Sequence, residues 1–246
     1  MYQLEICANS VTSAIVAEQA GAHRIELCTN LSEGGTTPSY GQIKWCVDNL
    51  TIPVWPLIRP RGGDFLYTDA EFDVILNDIT YCKEACCDGI VTGILLANGG
   101  IDKERCAKLI AAAQPMPVAF HRAFDMTNDL TKSLEDLISL GFVRVLTSGG
   151  KASAYSGAKQ IASLVAQAKN RIEIMPGAGV NAENITEIAA ITYAKCFHTT
   201  AKAPAKSEMQ FKNNHSKMSD HTLDEFSHEQ TDSFKVKQLI EILKKL

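Results

Sequence analysis

The stretch Gln3-Leu-Glu-Ile-Cys7 ("QLEIC") is answered 21 residues later by Arg24-Ile-Glu-Leu-Cys28 ("RIELC"). In a β-strand, residues i and i+2 point to the same face. Glu5 and Cys7 therefore share one side of the first strand, and Glu26 and Cys28 one side of the second. Between them Ser10–Ala20 carries a helical pattern, opened by a serine cap and stopped by Gly21. Strand, helix and a second strand of the same composition make a βα unit. A carboxylate and a thiol on one face of neighbouring strands are unusual packing material. They suit a metal site, a pair of catalytic groups, or the filling of a barrel.

The same alternation continues along the chain. Further strands are predicted at Val54–Ile58, Gly89–Thr92, Val118–His121, Arg144–Thr147, Arg171–Met175 and Lys195–Thr199. Helical periodicity covers Asp69–Cys86, Asp102–Ala113, Leu130–Leu140 and Ala154–Ala168, and Asn181 caps one more helix. The eight strand centres lie 21 to 34 residues apart, which is βα-unit spacing. Eight such units predict a single α/β domain over 1–246, a TIM-type (β/α)8 barrel. A doubly wound sheet fits less well, because no G-x-G-x-x-G turn follows a strand. Residues 201–230 show neither period and read as a long polar loop with His215, His221 and His228. It would serve as a lid, a subunit-interface arm or an insertion. Residues 231–246 read as an amphipathic closing helix, with Phe234, Val236, Leu239, Ile240 and Leu243 on its apolar side.

The composition narrows the function. The chain has 246 residues, 46% hydrophobic and 21% charged, with a formal net charge of −4. That charge gives no footprint for nucleic acid. No apolar run is long enough to span a membrane, and the first residues lack a secretory pattern, so a cytoplasmic location is expected. Eight cysteines in such a chain are expected as reduced thiols rather than disulfides. Cys82 and Cys86 would share a helical face as buried thiols.

In a barrel, chemistry belongs at the C-terminal ends of the strands. Polar residues crowd there: Glu5 and Cys7, Glu26 and Cys28, then Arg59 and Arg61, then His121, Arg122 and Asp125. Glu5, Glu26, Arg59, His121, Arg122 and Asp125 are the candidate catalytic groups. The turns Ser148-Gly149-Gly150 and Gly177-Ala-Gly179, with His198 on the last strand, resemble anion cradles. Tight βα connections need the same glycines. The arginines make an anionic ligand electrostatically sensible.

Six phrases, "ELCTNLSEGGTTPS", "LIRPRGGDF", "GGID", "FHRAFD", "VLTSGG" and "PGAGVNAENI", occur in order. Together they resemble the CutC family of proposed copper-homeostasis proteins, from Leu4 to about His198. The resemblance implies a cytoplasmic TIM-type barrel that self-associates as a dimer or tetramer. It also implies copper handling, with Cys7 and Cys28 matching the cysteines proposed as ligands. Cu(I) is the copper species that two thiolates would suit. One departure stands at the eighth strand. The family tends to show Glu-Ile-His-x-Ser-Ala, whereas this chain has Cys196-Phe-His-Thr-Thr-Ala201.

Barrel shear places inward side chains of adjacent strands in different layers, so the two sulfurs are expected to miss each other. The glutamates are hard donors, suited to a divalent ion or to proton transfer. The alternative to copper handling is therefore an enzyme. It would act on a small anionic or phosphorylated metabolite, with Glu26 or His121 as general acid or base.

Overall fold

The computed structural model describes residues 2–213, 215–216 and 226–246. His221, expected within the long polar loop, lies outside the described residues. Eight parallel strands, β1 (Gln3–Ala8), β2 (Arg24–Leu27), β3 (Val54–Pro56), β4 (Ile90–Thr92), β5 (Val118–Phe120), β6 (Arg144–Thr147), β7 (Glu173–Pro176) and β8 (Cys196–Thr199), alternate with helices. They pair as two four-stranded arrays, β3-β2-β1-β8 and β4-β5-β6-β7. One seam is stitched by the bridge between Leu57 and Val91, with the Ile58 amide donating to the Val91 carbonyl at 2.7 Å. At the other seam Cys196 Sγ meets Met175 Sδ at 3.4 Å. This is a TIM-type (β/α)8 barrel.

Two layers of burial follow from the strand alternation. Leu4, Ile6, Ala8, Ile25 and Leu27 point outward into the large core shared with the helices. Cys7, Cys28, Trp55, Leu57, Val91 and Ala119 form a separate cluster inside the barrel. The β1–β2 register pairs Glu5 with Arg24 and Cys7 with Glu26, a two-residue stagger between the similar motifs. On the other side of β1, Glu5 pairs with His198 of β8. Shear thus brings residues of unlike position in the two motifs side by side.

The outer helices are α1 (Val11–Gln19), α2 (Tyr40–Asn49), α3 (Asp69–Glu84), α4 (Lys103–Ala113), α5 (Leu130–Leu140), α6 (Ala158–Ala168), α7 (Ile185–Thr192) and α8 (Ser233–Lys244). Ser39 with Gln42 and Thr68 with Glu71 close capping boxes that fix the starts of α2 and α3. α6 starts later than its periodicity predicts, because Ser153 and Ser156 bond each other in a preceding turn. α3 ends before Cys86, which is exposed with φ +62°, so Cys82 and Cys86 do not share a helical face.

The expected polar loop is corrected at both ends. β9 (Lys202–Lys206) and β10 (Ser227–Thr231) form an antiparallel ribbon. The ribbon is moored to α1 and its entry turn: the Thr231 amide donates to Ser13 Oγ and Asn9 Nδ2 donates to the Glu229 carbonyl. Its strands carry no continuous apolar face, so periodicity could not announce them. α8 then fills the eighth helical position on Val236, Leu239, Ile240 and Leu243. Phe234, assigned above to the apolar side, is exposed. No described helix is long and apolar enough to cross a membrane.

Candidate functional site

Three neighbouring strands converge at the barrel mouth. Cys7 on β1, Glu26 on β2 and His198 on β8 are all buried, and one donor atom of each lies within 4.8 Å of the others. The Cys7 thiol donates to Glu26 Oε1 at 3.4 Å. The other carboxylate oxygen, Glu26 Oε2, is buried with no hydrogen-bond partner. Cys7 Sγ also lies 3.5 Å from Cys28 Sγ. The expectation that the two sulfurs miss each other is therefore corrected. The register sets Cys7 opposite Glu26, and Cys28, two residues on along the same interior face, reaches back diagonally.

Glu5 holds this floor from beneath. Its carboxylate bonds His198 Nδ1 at 2.7 Å and pairs with Arg24 Nε. Arg24 in turn reaches Cys196 Sγ at 3.2 Å and Met175 Sδ at 3.7 Å. Burial opposes ionisation of Glu5, but Arg24, His198 and Arg144 outweigh it and hold the carboxyl well below the usual range. Burial also disfavours protonation of His198, yet Glu26 and Glu5 together raise its pKa. Burial raises Glu26. The hydrogen bond with Cys28, then burial, push the Cys7 thiol well up.

Above the floor opens a cavity of about 750 Å³. Cys7, Glu26, Arg59, His121, Arg122, Asp125, Gly179 and His198 line it, while Glu5, Cys28, Ser148, Gly149, Gly150 and Gly177 do not. Arg59 is committed to the fold: its guanidinium donates to the carbonyls of Glu33, Gly35 and Gly63 and lies over Phe65. Arg61 turns away from the cavity, to Asp64, Glu71 and the Tyr67 ring.

The turn Ser148–Gly150 does hold an anion, but one from the chain itself. The Asp125 carboxylate accepts from Thr147 Oγ1 at 2.6 Å, from the amides of Ser148 and Gly150, and from Ser148 Oγ. Arg122 Nε completes the pairing at 2.9 Å. Gly177 serves contact rather than anion binding. Its amide donates to the Thr147 carbonyl, and a Cβ there would lie 2.4 Å from Leu146 Cδ1 and 3.4 Å from His198 Cβ.

His121 has a defined protonation state. The Ala123 amide donates to its Nδ1 at 3.2 Å, so the neutral ring carries its proton on Nε2. Burial first, and the Arg59 charge second, lower its pKa to about 3. A lowered histidine pKa adds stability above the unfolded value near 6.5, and that stability is lost as pH falls toward 3. A proton NMR titration of the His121 ring is expected to show no inflection between pH 8 and about pH 4. An ordinary inflection near 6.5 would contradict the assignment.

Sequence reasoning missed the ceiling of the cavity. Val180–Glu183 and the α8 residues Lys235, Gln238 and Leu239 line it. The apolar period of α8 signalled packing, but nothing local placed its first turns over the mouth.

The model of the CutC family matches residues 2–203. The human "Copper homeostasis protein cutC homolog" is 46% identical over 246 residues, covering 100% of this chain and 90% of that one. A CutC family protein of Parabacteroides distasonis is 49% identical over 240 residues, 96% of this chain and 98% of its own. A crystal structure from Streptococcus agalactiae, provisionally described as the copper homeostasis protein CutC, superposes with a TM-score of 0.78. It has 42% identity and covers 81% of this chain and 99% of that one. Phosphoribosylanthranilate isomerase of Thermotoga maritima, 13% identical with a TM-score of 0.59 and full coverage of both chains, shares the fold alone.

Proposed function

The chain belongs to the CutC family, and on that premise we propose that it handles copper, with Cu(I) as cargo at the Cys7–Glu26–His198 floor. The observation that carries this reading is the convergence of thiol, carboxylate and imidazole donors within 4.8 Å, with Cys28 Sγ 3.5 Å from Cys7. Thiolate and imidazole suit Cu(I). Glu5 occupies His198 Nδ1 and leaves Nε2 as the available ligand atom, the outer-shell arrangement that orients metal-binding histidines. The orphaned Glu26 Oε2 is an acceptor that a cation would satisfy. Glu26 also sits where it can take the Cys7 proton as the thiolate forms.

The reading follows the family in making the protein cytoplasmic and self-associating. Light scattering on the purified chain checks the latter, and a mass of one chain at all concentrations would refute it.

Titration of Cu(I) against a competing chelator tests the site. Wild type is expected to hold Cu(I), more tightly as pH rises, because the Cys7 proton must leave. Cys7→Ser is expected to abolish competitive binding. Unchanged affinity in a Cys7→Ser/Cys28→Ser double variant would remove these residues as the site.

A further inference from the structure

A single ion fills little of a 750 Å³ cavity, a volume typical of sites for small organic molecules. Leu31, Leu57, Phe65 and Leu146 give it apolar walls. Away from the copper floor, two residues of its lining carry a buried polar atom with no hydrogen-bond partner, Arg59 at Nε and His121 at Nε2. His121 Nε2 is a donor, as its tautomer requires, and has no acceptor. An unmet buried donor is costly and calls for an explanation. The half-buried Phe65 ring packs on the imidazole at 4.9 Å between centroids, on the loop that Arg59 pins.

The neighbouring residue supplies a charge. Arg122 spends Nε on Asp125 and Nη2 on Ser148 Oγ, while its Nη1 makes no hydrogen bond among the described residues. Its side chain is 42% exposed at the cavity wall. Of the other cationic donors, Lys235 Nζ is given to the Lys202 carbonyl at 2.7 Å, and Arg59 spends both terminal nitrogens on three carbonyls, leaving only its buried Nε without a partner. The glycine cradle at Ser148–Gly150 already holds Asp125. A phosphoryl group would find that nest filled. A carboxylate needs only one guanidinium edge.

We propose that the cavity binds a small 2-oxo or 2-hydroxy carboxylate. Its carboxylate sits on Arg122, and its second oxygen accepts from His121 Nε2 as Phe65 gives way. This site stands independently of the cysteines and of copper.

Calorimetric titration of the metal-free protein with pyruvate, lactate, acetate and inorganic phosphate tests it. Pyruvate or lactate is expected to bind saturably, about tenfold or more tighter than acetate, which lacks the second oxygen. Phosphate is expected not to compete. His121→Phe keeps an aromatic ring against Phe65 and is expected to erase the advantage over acetate while leaving Cu(I) affinity unchanged. Arg122→Lys is expected to weaken every carboxylate, because the lysine lacks the planar fork. The proposal is overturned if neither pyruvate nor lactate binds the native protein or if acetate binds equally well. Retention of the preference by a folded His121→Phe protein would overturn it too. Loss of Cu(I) binding in Cys7→Ser with pyruvate binding intact would separate the two sites.

Discussion

Replacing Glu5 with glutamine is expected to lower the unfolding free energy by about 3–5 kcal/mol, the usual cost of breaking a buried ion pair from one side. Glu5 is 1% exposed and Arg24 7% exposed, so water cannot reach either charge to compensate. The variant leaves Arg24 without a counter-charge, facing one neutral amide oxygen and the sulfurs of Cys196 and Met175, weak acceptors for a guanidinium. It also strips His198 of its orienting carboxylate, and Cu(I) affinity is expected to fall about 10–100-fold. The pH dependence follows from the direction of the shift. A carboxyl held below its ordinary value of 4.5 contributes stability that is complete above that value and lost as pH falls. The gap between wild type and variant should therefore be widest at neutral pH and narrow on acidification. Urea denaturation at pH 7 and pH 3 measures it, and equal midpoints at pH 7 would refute the ion-pair account.

The barrel was legible because its signal is local. Val, Ile and Leu runs at βα spacing, with caps such as Ser10 and stops such as Gly21, need no partner to be read. Register is different. The repeated Glu-x-Cys spacing places each pair on one face, but the two-residue stagger that sets Cys7 opposite Glu26 is a property of barrel closure. For that reason the sulfur–sulfur approach of 3.5 Å ran against expectation. The glycine turns were equally visible as sets of amide donors. Which anion fills them was not, since Asp125 arrives from the previous βα loop. Arg59 and Arg61 read as ligand-binding charges, yet backbone carbonyls and surface carboxylates claim them. The β9–β10 ribbon gave no pattern because much of its anchoring comes through Ser13 and Asn9, more than 200 residues away.

Asp125→Ala is expected to cost about 3 kcal/mol, because it leaves buried donors unmet together. Thr147 Oγ1 and the Ser148 amide lose their acceptor inside the fold, whereas the exposed Gly150 amide can turn to water. Arg122 loses its pairing with Asp125, and the turn at 122–126 comes untied from the end of β6. Asp125→Asn should fall between wild type and alanine. It keeps one acceptor oxygen but turns a donor amide toward other donors. The alanine variant also exposes what the turn is built to hold. With the internal carboxylate gone, the amides of Ser148 and Gly150 form a free nest beside a released guanidinium, and such nests bind anions. Sulfate at millimolar concentration is therefore expected to raise the melting temperature of Asp125→Ala well beyond its effect on wild type, whose cradle is already filled. Binding to the native state alone stabilises in proportion to the logarithm of ligand concentration, so the rise should climb steadily across a sulfate series. Equal responses from the two proteins would mean that the carboxylate only tethers two loops. A selective response would identify Asp125 as an internal anion in a site whose backbone geometry accepts others.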